Sequence, residues 1–324
     1  MANFAGQAIS ESYQRVLQVD GGVIQNGKGN VVNGTIESLA VVNALSAKTV
    51  NLLTLGLGGS NVGSNIALGL NALESNTIGA ANVAIGFRPL QLNSVGNFNV
   101  ALGNNALRLN TSGSYNIALG RSALQQNTEG NNNVALGPSA LFNNTTGYNN
   151  VALGSSALQN NTTGTNNVAL GRNALQSNTY GTNNIALGNQ ALLYNIGGTN
   201  NVALGPNALQ NNTYGAQNIA LGPSALNYNT VGYDNVALGA SALIRNTIGI
   251  SNIALGLDAL LSNTEGFNNI AIGESAMGNL SDSNTGDHNV ALGYNTLKYN
   301  TTAVSYTHLR AHETGRNLVC RLLL

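Results

Sequence analysis

The sequence predicts an all-β solenoid, a parallel β-roll or β-helix of fourteen coils of about 17 residues each. Three observations predict it. The motif Asn-[Val/Ile]-Ala-[Leu/Ile]-Gly occurs fourteen times, its glycine falling at Gly69, Gly86, Gly103 and onward to Gly293. Twelve of the thirteen intervals are 17 residues and one is 20, and a fixed period of this length marks stacked repeats. Composition agrees: charged residues are 7% and glycines number 40, against roughly 25% charge in an ordinary soluble domain.

Each repeat divides into three parts, illustrated by "GYNNVALGSSALQNNTT", residues 147–163. "NNVALG" alternates polar and apolar, the period of a strand, so Val151 and Leu153 share one face and Ala152 takes the other. "SSALQN" is too short for a stable helix but suits one helical or 3₁₀ turn, with Leu158 facing inward. "NTTG" is turn chemistry, with Asn and Thr bonding locally to backbone and Gly164 supplying a positive φ. Gly154, closing the strand, turns the next corner for the same reason.

A lone repeat buries too little apolar surface to offset the entropy of ordering it. Stacking supplies the rest through paired strands ~4.8 Å apart and ladders of like residues such as Asn150, Asn167 and Asn184. The expected core is the large apolar set Val151, Leu153 and Leu158, repeated as Val168, Leu170 and Leu175. That leaves a row of alanines on the other strand face in all fourteen copies, among them Ala135, Ala152, Ala169 and Ala186. A water-facing row would tolerate Thr, Ser or Lys, so the alanines are read as an inter-chain face, most simply in a parallel homotrimer.

Three segments follow. Residues 1–61 form an N-terminal attachment or capping segment of short strand-like runs with Gly and Asn turns. Residues 62–303 are the repeat solenoid, the 20-residue interval being a loop insertion at "MGNLSDSNTGDHN". Residues 304–324, "VSYTHLRAHETGRNLVCRLLL", break every rule of the repeat and contain the only cysteine, Cys320. They resemble a translated sequencing adapter, so the native chain is expected to be truncated at 303 and the tail to be disordered and non-native. Without that tail, cysteine says nothing about redox compartment.

The repeats resemble those of two fibrous groups. "NNVALGSSALQNNTTG" is similar to the head repeats of YadA-type trimeric autotransporter adhesins, whose motif runs Asn-Ser-Val-Ala-Ile-Gly. It is more similar to tail-fibre repeats of phages and giant viruses. The resemblance covers residues 62–302 and implies a trimeric parallel β-roll that projects from a surface and contacts a host, with no catalysis in the stalk. The period here is longer than the adhesin's by the "AL" turn, and no signal peptide is read at the start.

Chemistry is sparse. The formal net charge is zero, which gives nucleic acid or an anionic membrane nothing to hold. No run of 18 apolar residues predicts membrane insertion. His288, beside Asp282 and Asp287, fits a solvated loop better than a metal site. "GLGGSNVG", residues 56–63, matches neither dinucleotide nor phosphate-loop spacing, and the carboxylates never recur as an acid–base pair. No enzyme, metal or cofactor is therefore expected. Aromatic residues at variable turn positions, Tyr148, Tyr180 and Tyr214, are candidates for glycan contact.

The function expected is the shaft of a virus or phage tail fibre, located in the virion. It would associate with itself, with the virion or tail structure through the N-terminus, and with a host-surface glycan or protein. A bacterial autotransporter-type adhesin at the cell surface or outer membrane is the alternative. An ice-binding solenoid, suggested by the row Thr111, Thr128, Thr145, Thr162 and Thr179, ranks third because those threonines lie in a turn.

Overall fold

In the computed structural model the chain divides into two units, Met1–Leu52 and Leu53–Leu324. The described residues are 64–278 and 285–298, with the backbone of two strands at 55–56 and 307–309, and all belong to the second unit. That unit is a parallel β-solenoid.

A short strand, β1 (Leu55–Gly56), pairs antiparallel with β2 (Ile66–Leu68). From β2 to β15 (Val290–Leu292), fourteen three-residue strands stand side by side in sequence order. Neighbouring strands of this run are parallel and in register, so Val151, Ala152 and Leu153 face Val168, Ala169 and Leu170. β16 (Thr307–Leu309) continues the order and sets His308 opposite Ala291. It lies within the terminal segment that the sequence sets apart. Register holds across the 20-residue interval, where Ile270 still pairs with Val290.

The interior is narrow, and this reverses the expected sides of the strand. Ala135, Ala152, Ala169 and Ala186 are fully buried within their own chain, so they are not an inter-chain face. Val151, Leu153, Val168 and Leu170, expected in the core, are half-exposed on the outside of the coil. Leu158 and Leu175 are fully buried, as expected. The reason is volume. One coil encloses Ala152, Ala157, Leu158, two asparagines and a glycine, and that set leaves no room for three further branched side chains.

The second part of the repeat is neither α-helical nor 3₁₀. Ser156 and Leu158 have φ of 58° and 51°, while Ala157 between them does not share that region. Alternation of this kind cannot propagate a helix. It folds the chain inward twice, closed by Ala157 N–H donating to Gly154 O (3.3 Å) and Asn161 N–H to Leu158 O (3.1 Å). Asn149, entering the strand, is the third such residue in each coil, at φ 56°. Among the described residues 41 non-glycine positions adopt positive φ, and none is Val, Ile or Thr. Branching at Cβ is confined to positions where the backbone is extended or ordinary.

Two glycines per coil are required for different reasons. Gly154 sits at φ 135°, and a Cβ there would lie 2.6 Å from the carbonyl oxygen of Gly171. Gly164 does not have the positive φ expected of it. It is needed because a Cβ would lie 2.5 Å from Gly181 O and 2.7 Å from the Asn178 amide nitrogen.

A left-handed residue other than glycine carries a penalty of roughly 1–2 kcal/mol, larger when branched at Cβ. Ser156→Gly is therefore expected to raise the free energy of opening of its coil by about 1 kcal/mol, and Ser156→Val to lower it. Hydrogen exchange of the amides in residues 140–175 measures both.

Candidate functional site

The candidate functional parts of this molecule are columns of side chains at the same place in successive coils. Two columns are internal. The first is the asparagine preceding each strand. The side-chain oxygen of Asn133 accepts both the backbone N–H (3.0 Å) and the amide (3.2 Å) of Asn150, whose amide also donates to Gly164 O at 2.8 Å. Asn167 and Asn184 repeat the pattern, which is the ladder expected of those residues. The second column runs through the turn. Asn161 donates to Asn144 Oδ1 (2.7 Å) and to Gly164 O (3.0 Å). Gly164 O thus accepts from both ladders and ties them together.

Sequence reasoning missed this second ladder by treating Asn161 as local turn chemistry. The available signal was its constancy: asparagine occupies the position at Asn93, Asn110, Asn127, Asn144, Asn161 and Asn178 without replacement by Asp or Ser. Only a side chain with both donor and acceptor can pass a hydrogen bond along a stack of itself.

Thr162 O is another junction. It accepts N–H groups from Thr145, Thr146 and Gly147 and the Thr145 hydroxyl at 3.0 Å. Thr111, Thr128 and Thr162 donate in the same way to the coil that follows. Thr179 donates to Ser177 O at 3.3 Å.

Two outer faces remain. On the strand face, Val or Ile at the first position and Leu or Ile at the third form two columns without a polar member in fourteen coils. Ile185 and Ile219 each keep 39% of their surface exposed. Half a circuit from the strand, the outward positions vary from coil to coil, with amides, hydroxyls and tyrosines beside apolar residues such as Ile78, Val231 and Ile248 and a few charges such as Glu129. Tyr180 and Tyr214 occupy the column of Thr163, whereas Tyr148 stands in a different column, immediately after Gly147. All three are about half exposed. Phe98 and Tyr115, on neighbouring coils of one column, stack on each other with centroids 4.9 Å apart and planes 8° apart.

Titratable groups do not converge. Among the described residues no three His, Cys, Asp or Glu side chains form a metal-holding group. His288 is exposed and packs edge-on against Phe267 at 5.2 Å, and Asp287 accepts the Phe267 N–H; Asp282 lies outside the described residues. The exposed Glu74 carboxyl is held below its ordinary range by hydrogen bonds from Gln91 first and Asn71 second. No described helix is long and apolar enough to cross a membrane.

Compared with family models and with curated proteins, the chain matches none. Its likeness to fibre repeats rests on the motif, the period and the coil.

Removing one ladder side chain strands buried partners on both sides. Asn150→Ala takes the acceptor from the Asn167 backbone N–H and amide, and is expected to cost about 2–4 kcal/mol. Loss of amide protection confined to the coils on either side of residue 150 would report it.

Proposed function

We propose that the chain is the shaft of a virus or phage tail fibre that serves host attachment, built from three parallel copies packed through their strand faces. The observation that carries this reading is the outer strand face. Twenty-eight positions, two on each of fourteen strands, are all Val, Ile or Leu. Nothing inside a single chain requires this, because the core is made by other residues. Strand propensity favours Val and Ile, but it gives no reason for Leu at the third position in twelve of the fourteen strands. Continuous apolar surface of this kind suits an interface. Parallel copies with their strand faces turned to one axis would cover both columns along their whole length.

The remaining partners follow from the same architecture. Attachment to a virion or tail structure is assigned to residues 1–61, of which only the strand at 55–56 is described. The face away from the axis is left to a host glycan or protein. Localisation in the virion goes with this reading. A bacterial surface adhesin of the autotransporter kind shares its repeat motif and its threefold packing, and remains the second reading. The ice-binding reading loses support from the turn threonines. Most of their hydroxyls are committed to carbonyls of the following coil, and none of them stands on a flat strand face.

The interface is tested by charge. The chain is expected to sediment as a trimer, and Val134→Lys, Val151→Lys and Val168→Lys together to sediment as a monomer with an unchanged far-ultraviolet spectrum. A monomeric parent, or a trimer indifferent to the three lysines, would count against it.

A further inference from the structure

The face half a circuit from the strand carries four tyrosines whose spacing the fold does not need. Tyr180, Tyr194, Tyr214 and Tyr228 lie on four successive coils and alternate between two columns: Tyr180 and Tyr214 in that of Thr163, Tyr194 and Tyr228 in that of Asn160. Each is 50–54% exposed. Within a column the tyrosines are two coils apart. Rings on neighbouring coils satisfy each other by stacking, as Phe98 and Tyr115 do at 4.9 Å. Rings two coils apart, at about 10 Å, cannot, so each keeps a face open.

What stands between them keeps the track low. Gly197 separates Tyr180 from Tyr214, and the Tyr180 ring leans over it: a Cβ at Gly197 would lie 2.6 Å from Tyr180 Cζ and 2.7 Å from its hydroxyl oxygen. The ring therefore lies along the coil axis, resting on backbone. Asn211 separates Tyr194 from Tyr228 and adds an amide to the second column. The four coils themselves are uncharged, and the nearest charge in either column is Arg245, one coil beyond Tyr228. From Asn173 to Tyr233 there is no Asp, Glu, Lys, Arg or His.

We infer that this face binds a neutral, linear, β-1,4-linked polysaccharide laid along the coil axis. In such a chain successive sugar rings are flipped about the chain direction, so the same apolar ring face recurs once per disaccharide, about the distance of two coils. Tyrosines repeating every second coil can meet that face each time, and the second column, offset by one coil, can meet the intervening rings. The absence of charge over these coils offers nothing to an acidic glycan. This inference rests on the host-attachment reading and gives it a ligand class. Tyr148, in another column, is not part of the track.

The test is affinity electrophoresis of the full chain in native gels containing glucomannan, hydroxyethylcellulose, dextran or heparin. Retardation is expected in the first two and not in dextran or heparin. Tyr180→Ala with Tyr214→Ala should weaken binding about tenfold or more, because two stacking contacts are lost. Tyr180→Phe with Tyr214→Phe should retain binding, since the rings remain. Sedimentation of the alanine variant as the parent shows that the fold and the assembly are intact, which separates failure of the ligand from failure of the fibre. No retardation in either β-linked glycan, equal retardation in heparin, or binding unchanged by the alanine pair would overturn the inference.

Discussion

The whole structure depends on each coil completing its hydrogen bonds on its neighbours. The interior holds one leucine and two alanines per coil, too little apolar surface to hold seventeen residues in place alone. What remains is polar and must be paired. Backbone N–H groups reach forward to the next coil, as Val151 to Asn167 O and Leu158 to Ala174 O, and backward, as Gly154 to Leu136 O. The two asparagine ladders extend the same rule to side chains buried where no water competes. A buried amide without a partner costs more than a made bond contributes, so the ladders enforce register as much as they add stability. A slip by one residue would strand both columns at once.

This constraint explains the residue types that seem at first to be mere low complexity. Asparagine is the amide short enough to reach its own copy one coil away while still touching Gly164 O. Glycine occurs where backbone meets backbone, and left-handed positions take mostly Asn, Ser or Leu and avoid branching at Cβ. The insertion before Gly286 shows how firmly the rule holds. The strand and the first asparagine ladder cross it intact, with Asn289 bonded to Asn269 at the usual distances. Among the described residues the second ladder runs as far as Asn263, which donates to Asn246 Oδ1 at 2.9 Å and to Gly266 O at 3.0 Å.

Periodicity made the architecture legible from sequence: the coil number, the strand at "VAL", the inward Leu158 and the Asn150 ladder all follow from it. The inside and outside of the strand did not. Alternation separates Ala152 from Val151 and Leu153 but is symmetric between the two faces, and the usual rule of large residues inward chose the wrong one. Coil width decides, and width is set by the left-handed pair Ser156 and Leu158, which no propensity scale anticipates for serine and leucine. Reading "SSALQN" as one helical turn gave no sign of that width, and the alanines were left over once the large residues had been placed inside. The tyrosine columns were visible only as exposed aromatics until the coil assigned each to a column and a height.

In-register identity between coils has a consequence for how such a molecule can change. Because every coil presents the same upper and lower surface, an in-frame duplication or loss of one whole unit leaves all junctions as they were. Reach can then be lengthened or shortened by recombination between copies of the same coding segment, with no compensating substitution anywhere. Outward side chains away from the strand face are free to diverge unit by unit, so one scaffold of adjustable length can carry many surface patterns.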